Sequence, residues 1–368
     1  MAYKVRFVQP DEHYRRLKLK IDTTIQDVLA RGDLIYRSQL RDFEQNLAAF
    51  VGTKYAVGLN SGFHALHFAC IGAGLGPGDD VIVPAHTFVA SVSAIVLTGA
   101  KPVLVEVKED YNIDMDHAEK MITPRTKAIM PVHLNGRLCD MDRVMAFAEN
   151  HNLFVIEDAA QSLGGSYKGK GAGSFGYAGC FSFYPFKVLG GFGDGGALTT
   201  DDERLAVMAS RLRYNGEDRE TGEYHHHGYT ALLDNVQAAV LDIKLRYLPQ
   251  WLERRRAVAE CYRQGLIGIP DLWIPHFQGD EYHDIFQNYV IRTTRRDELV
   301  SYLEEKGVET LIFWPKPMWE HKALKLGEPH LPETEAICRE VISLPMNAEI
   351  GDDDVDYVIE TVRSFFTQ

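Results

Sequence analysis

From Tyr55 onward, short apolar runs of strand length alternate with longer stretches in which apolar residues recur at helical spacing, each interrupted by Gly, Pro or Asp. "YAVGLN", "DVIVPA", "KPVLVEV", "TKAIMPVHL" and "LFVIED" read as strands, and "SGFHALHFACIGAGL", "TFVASVSAIVLTGA" and "MDRVMAFAENHN" as the helices that join them. The strand runs are mostly apolar at successive positions instead of alternating. That predicts strands buried on both faces, hence an α/β architecture with a largely parallel sheet covered by helices. After a helical stretch around "LDNVQAAVLDIKLRYLPQWLERRRAVAECYRQ", the pattern restarts with "NYVIRTT", "RDELVSYLEEKG", "VETLIFW" and a last helix from about Asp352. The expected organisation is a large domain over residues 1–250, with an N-terminal arm, and a smaller C-terminal α/β domain over 251–368.

Composition narrows the partners. The chain has 368 residues, 45% of them hydrophobic, enough for a sizeable core, and 39 basic against 52 acidic residues give a formal charge of -13. That balance argues against general binding to nucleic acid or to anionic lipid, both of which need basic patches. The opening "MAYKVRFVQPDEHYRRLKLK" has no apolar run before a small-residue cleavage site, and no later stretch is apolar enough to span a bilayer, so a cytoplasmic protein is expected. Five scattered cysteines (Cys70, Cys139, Cys180, Cys261, Cys338) suit buried reduced thiols better than a disulfide framework or a zinc site. No metal is expected. The adjacent histidines His225–His227 point in different directions on a loop and read as solvated.

In open parallel sheets ligands gather at the carboxyl ends of the strands, which directs attention to Asn60-Ser61-Gly62, Pro84-Ala85-His86 and Glu157-Asp158. Ser61 and Gly62 lie between a strand and a helix, where free N–H groups and the helix dipole would receive a phosphate; taken alone, Ser61 reads first as an ordinary N-cap. Asp158 ends an apolar strand, where an acid needs a partner. In "FSFYPFKVLGGFGDGGA", Lys187 stands between aromatic residues and glycines. A lone lysine there would snorkel, but a desolvated one favours the neutral amine, which attacks aldehydes. The G-x-G-x-x-G from Gly191 to Gly196 leads into a strand instead of opening a crossover helix, so it reads as a tight turn and not as a dinucleotide site. A phosphate-ready helix start, a strand-end aspartate and a semi-buried lysine are together what pyridoxal phosphate needs for its phosphate, its pyridine nitrogen and its aldehyde.

With these features in order, the chain resembles the DegT/DnrJ/StrS nucleotide-sugar aminotransferases, which share the aspartate aminotransferase fold. "FVGTKYAVGLNSG", "GLGPGDDVIVPAHTFVAS", "ITPRTKAIMPVHLNG", "VIEDAAQSLGGSYKGK", "FSFYPFKVLGGFGDGGAL" and "LDNVQAAVLDIKL" follow the family's segments at its spacing over nearly the whole chain. The resemblance implies a pyridoxal 5'-phosphate (PLP/PMP) enzyme of fold type I. It makes Lys187 the Schiff-base lysine and proton shuttle, Asp158 the partner of the pyridinium nitrogen, and Gln161 a contact to the ring hydroxyl. Phe88 would stack on the ring; Ser182, Ser61, Gly62 and the Phe63 backbone would hold the phosphate, with Thr230 at the position that reaches the partner subunit's phosphate. Tyr184, His86, Phe313 and Trp319 would border the sugar. It also implies glutamate as amino donor, a nucleotide-linked keto sugar as acceptor, and a homodimer with shared active sites.

Phe183-Tyr184-Pro185 before the lysine and Gly193-Asp194-Gly195-Gly196 after it resemble the members that aminate the sugar's third carbon, not the fourth. The chain departs from the family pattern where Phe63 replaces threonine, Thr230 asparagine and Leu232 arginine. Phe186 and Val188 flank the lysine in place of Thr and Asn, Phe313-Trp314 replace His-Tyr, and Met318-Trp319 fall where Leu-His is common. Two alternatives stay open at this level: a sugar dehydratase using the same cofactor, and a catalytically silent relative that binds a nucleotide sugar.

Overall fold

In the computed structural model, which describes residues 3–367, the strand runs form β1 (Tyr55–Leu59), β2 (Asp80–Pro84), β3 (Lys101–Val105), β4 (Thr126–Ile129) and β5 (Phe154–Asp158). A small hairpin, β6 (Ser166–Tyr167) and β7 (Lys170–Gly171), precedes β8 (Ala178–Ser182) and β9 (Gly196–Thr200). One seven-stranded sheet takes the order β1-β9-β8-β5-β4-β2-β3. Its pairings are parallel except those of β9, which runs antiparallel to both β8 and β1.

The apolar strands bury both faces, as expected. In β2, Val81 and Val83 enter one core layer while Ile82 enters the other, and Val155 and Ile156 of β5 divide the same way. The helices are α1 (Pro10–Arg31), α2 (Ser38–Val51), α3 (Gly62–Gly72), α4 (Val89–Val96), α5 (Met115–Met121), α6 (Met141–His151) and α7 (Glu203–Leu212), then α8 (Asn235–Leu245), α9 (Leu248–Leu266), α10 (Arg296–Glu305), α11 (Pro332–Glu340) and α12 (Asp352–Phe366). Helices α2, α6 and α8 supply one layer and α3, α4 and α7 the other. Local signals set these helices. Asp140 caps α6 by accepting from the Arg143 N–H at 3.2 Å, and its buried Met141, Val144, Phe147 and Ala148 recur at the spacing of one face.

A second core joins α9, α10 and α12 to a two-stranded antiparallel sheet of β11 (Tyr289–Arg292) and β12 (Val341–Leu344), the short β10 (Tyr282–His283) pairing back to β6. Three details differ from the sequence reading. "VETLIFW" forms only isolated bridges, Val308 to Val5 and Leu311 to Ser343, because β12 takes the ladder position beside β11. Val5 packs into the second core, so the N-terminal arm belongs partly to the smaller unit. Residue 250 lies inside α9, and a division at 250/251 cuts a helix instead of a linker. Of the cysteines, Cys70, Cys139, Cys180 and Cys338 are buried free thiols, whereas Cys261 is exposed. Among the described residues no helix is long and apolar enough to cross a membrane.

Because β9 runs opposite to its neighbours, its first residue, Gly196, sits at the edge where β1 and β8 end. A Cβ there would overlap the Ser61 carbonyl carbon and the Gly62 nitrogen, and a Cβ on Gly62 would lie 2.8 Å from that of Ser182. The start of α3 is thus pressed onto the sheet by two glycines. Gly196→Ala should lower stability by roughly 1–3 kcal/mol in denaturant titration, whereas Gly76→Ala, whose Cβ would meet only the Thr98 oxygen at 4.0 Å, should be close to neutral. Equal effects would contradict this close packing.

Candidate active site

The sheet edge formed by the ends of β1, β5 and β8 collects the residues singled out from sequence. The first is Asp158, buried at the end of β5. Its Oδ2 accepts from Ser91 Oγ at 2.7 Å and its Oδ1 from the Ala160 N–H at 3.2 Å. Ser91 gives its one proton to the carboxylate, so Thr87 donates to Ser91 across 2.9 Å. Desolvation raises the Asp158 pKa, opposed by these hydrogen bonds and by the Lys187 charge. Glu157, one residue earlier, points to the opposite side of the strand. There it accepts from the Gly173, Phe175 and Gly176 N–H groups at 2.7–2.8 Å and faces His133 Nε2 at 3.1 Å. The Cys139 N–H donates to His133 Nδ1 at 3.2 Å, which leaves the proton on Nε2 to reach Glu157. Of the two acids, only Asp158 belongs to the site; Glu157 ties down the loop leading into β8.

Lys187 lies beyond the end of β8. The strand β8 stops at Ser182, and the lysine sits on a turn closed by its own N–H to the Tyr184 carbonyl at 2.8 Å. Gly190 permits that turn, since a Cβ there would overlap the Pro185 carbonyl, and Lys244 donates to the Gly190 oxygen from below. The Lys187 side chain is half-buried; burial lowers its pKa to about 8, against the Asp158 charge, which raises it. Near pH 7 about a tenth of the amine is then neutral, far more than for an exposed lysine. Beside it opens a cavity of about 370 Å³ lined by Phe186, Phe192, Lys244, Trp251, Arg255 and Glu349. Burial likewise holds Lys244 down to about 8, with Glu349 opposing.

At the start of α3 the Ser61 hydroxyl is the N-cap, accepting from the His64 N–H at 3.2 Å, with His64 Nδ1 at 3.1 Å. The ordinary cap is therefore the observed role of this hydroxyl. The N–H groups of Gly62 and Phe63 have no hydrogen-bond partner among the described residues and stand free at the positive end of the helix. Phe63, in threonine's place, stacks on His67 at 5.8 Å and contributes only its backbone here. Ser182 Oγ accepts from the Tyr184 N–H at 3.3 Å and keeps its proton to donate. Gln161 uses its carbonyl on the Asn135 N–H at 2.7 Å, which leaves its amide –NH2 as a donor. Phe88 precedes α4 and is 55% exposed.

The remaining predicted residues fall differently. Thr230 is exposed and donates to Asn215 Oδ1 at 3.2 Å, while its carbonyl accepts from Asn60 at 3.4 Å, so it lies beside this chain's own Ser61 turn. His86 is buried, edge-on to Trp314 at 5.3 Å with Cys338 Sγ at 3.6 Å, and burial pushes its pKa down to about 3. That is a packing environment. Phe313 meets Phe7 edge-on at 6.2 Å, Trp319 packs against the core layer of α3 and α4, and Tyr184 is exposed, edge-on to Phe186 at 5.5 Å. His225–His227 are exposed, and no group of three or more His, Cys, Asp or Glu among the described residues is arranged to hold a metal. Sequence reasoning missed Ser91 and Thr87; the available signal was two serines, Ser91 and Ser93, inside the otherwise apolar "FVASVSAIV", and the fold fully buries Ser91.

A side-chain-free cradle with two unpartnered N–H groups, a buried carboxylate awaiting positive charge, a free amide donor and a desolvated lysine fit the phosphate, ring nitrogen, ring hydroxyl and aldehyde of pyridoxal phosphate. The fold and site are those of a pyridoxal-phosphate enzyme. The chain belongs to the DegT/DnrJ/EryC1/StrS aminotransferase family, whose sequence profile matches residues 16–363. It is 41% identical over 366 residues to the dTDP-3-amino-3,4,6-trideoxy-alpha-D-glucose transaminase of Streptomyces venezuelae, covering 98% of this chain and 96% of that one. It is 38% identical over 362 residues to a pleiotropic regulatory protein of Geobacillus stearothermophilus, covering 96% of each. The crystal structure of S. venezuelae DesV in complex with a ketimine intermediate superposes with a TM-score of 0.96 at 40% identity over the full length of both chains.

Lys187 gives a sign that can be checked. Its folded pKa lies below that of an exposed lysine, so the buried charge opposes folding at low pH and the penalty fades as pH rises through about 8. Lys187→Met in the cofactor-free chain should raise stability by roughly 1–3 kcal/mol at pH 7, measured by urea titration, with the gain shrinking toward pH 10. A pH-independent difference would contradict it.

Proposed function

We propose that the protein is a pyridoxal-phosphate aminotransferase that carries an amino group from glutamate to the ketone at the third carbon of a nucleotide-linked sugar. In this reading it acts in the cytoplasm as a homodimer with shared active sites. The observation that carries the reading is the meeting of Lys187, Asp158 and the open start of α3 on one sheet edge.

Pyridoxal phosphate, when bound, supplies an electron-withdrawing ring that stabilises the negative charge left when a proton leaves the adjacent carbon. The chain's own residues do the rest. The N–H groups of Gly62 and Phe63 and the Ser182 hydroxyl would hold the phosphate at the helix start. Asp158, aimed by Ser91, would keep the ring nitrogen protonated, and Gln161 would donate to the ring hydroxyl. Phe88 would cover one ring face. Lys187 would anchor the cofactor through its amine and then, released, move a proton between the substrate carbon and the position next to the ring, because a neutral amine beside a carboxylate can both take and return one. Lys244 and Arg255, buried around the adjoining cavity, give it a positive lining that suits an acidic substrate.

Tyr184-Pro185, the Gly-Asp-Gly-Gly turn and the 3-amino-sugar name of the S. venezuelae relative support the third carbon. Phe88, Tyr184, Phe186 and Phe192 expose between 46% and 55% of their surface around the site, an apolar rim suited to cover by a second subunit. The test incubates the PLP-loaded protein with ¹⁵N-glutamate and a panel of nucleotide-linked 3-keto sugars, read by product mass. The label should enter the sugar, and Lys187→Ala should lower turnover by roughly 10²–10⁴-fold. A product that has lost oxygen without gaining nitrogen would mean elimination, and sugar binding without any transfer would mean a silent relative; either overturns the reading.

A further inference from the structure

Gln287, in the segment just before β11, is buried and grips the Lys187 peptide from both sides. Its Nε2 donates to the Phe186 carbonyl at 2.9 Å, and its Oε1 accepts from the Val188 N–H at 2.8 Å. These two partners fix which way the amide points. The segment is itself held. Arg255 donates to the carbonyls of Phe286 and Gln287 at 3.1 Å and of Met346 at 3.2 Å, and Gly136 lies so close that a Cβ on it would collide with the Gln287 nitrogen. The next residue reaches the other side of the site. Asn288 Nδ2 donates to Asn135 Oδ1 at 3.2 Å, and the Asn135 N–H fixes the Gln161 carbonyl at 2.7 Å.

The turn carrying Lys187 needs such a hold, because glycines at 190, 191 and 193 follow it and leave the backbone soft on that side. We propose that Gln287 is a positioning residue that fixes the reach of the Lys187 amine and keeps it partly out of water, while Asn288 does the same for Gln161 through Asn135. The three-residue segment 286–288 therefore sets the spacing between the group that reacts and the group that orients the ring. This rests on Lys187 being the reacting amine. An error of about 1 Å in that spacing costs up to about 10²-fold in rate.

The titratable groups facing Lys187 are Asp158 from β5 and, around the adjoining cavity, Lys244 from α8, Arg255 from α9, His13 from α1 and Glu349. None of them changes in two variants of Gln287. Gln287→Met keeps the volume without either hydrogen bond. Gln287→Glu still accepts from the Val188 N–H but cannot donate to the Phe186 carbonyl, and it adds a negative charge.

The test labels the full-length, cofactor-free chain with acetic anhydride across pH and follows the Lys187 and Lys244 peptides by mass. In the wild type the Lys187 midpoint should fall near pH 8. In Gln287→Met it should rise by roughly one unit as the amine gains water, and in Gln287→Glu by more, with the Lys244 midpoint unmoved in both. The PLP-loaded variants should lose roughly 10- to 100-fold in kcat with KM within about two-fold of wild type. If both variants only melt earlier while the Lys187 midpoint stays at the wild-type value, the role is structural and the proposal is overturned; should the Met variant not fold, Gln287→Leu, which also lacks both hydrogen bonds and adds no charge, takes its place. A shifted midpoint in a protein that transfers no nitrogen would keep the clamp and sink the aminotransferase reading instead.

Discussion

Asp158 carries a carboxylate that burial would neutralise, at a place where positive charge has to arrive. Desolvation pushes its pKa up and pushes that of Lys187 down, so each group resists its charged form, and each moderates the other across the edge of the sheet. Two hydrogen bonds are too few to satisfy a buried carboxylate fully. In the function proposed above, a protonated ring nitrogen would add the further positive charge that this acid can hold. The rest of the edge is shaped around it: the glycines that bring the start of α3 against β8 and β9, the free N–H groups at that helix start, and the turn that carries the lysine over the strand end.

Much of this was legible in the sequence because its chemistry lies at strand ends, and strand ends are marked by where apolar runs stop. Asp158 and Ser61-Gly62 could be placed that way, while Lys187 stood out by its setting between aromatic residues and glycines. What stayed hidden was whatever depends on distance between segments. Ser91 reads as one more small residue in an apolar helix until the fold sets it 2.7 Å from Asp158. Gln287 stands 99 positions from Val188, and no local pattern connects them. Glu157 and Asp158 look equivalent as neighbours; only the alternation of side chains along β5 sends one to a loop and the other to the site.

The misplaced elements have physical reasons of the same kind. "VETLIFW" has strand composition, but β12 occupies the ladder beside β11 and leaves it only bridges. The continuous helix α9 crosses position 250 because its buried apolar face begins before it, at Leu248, and goes on after it through Leu252, Val258, Ala259, Tyr262 and Leu266. Substrate choice is the least visible level. The sheet, cradle and lysine define a reaction type, while the exposed rim of Phe88, Tyr184, Phe186 and Phe192 is where a sugar would be told apart, and a fold shared by many activities does not specify it.

The central claim, that this lysine and no other receives the cofactor, is tested most directly by reducing the PLP-loaded chain with borohydride and locating the pyridoxyl group by peptide mass. Lys187 and Lys244 both border the same cavity and both have pKa values held near 8, so their chemistry alone does not separate them; their geometry relative to Asp158 does. The account predicts the group on Lys187 alone. A pyridoxyl group on Lys244, or a reduced chain that carries none, would contradict it.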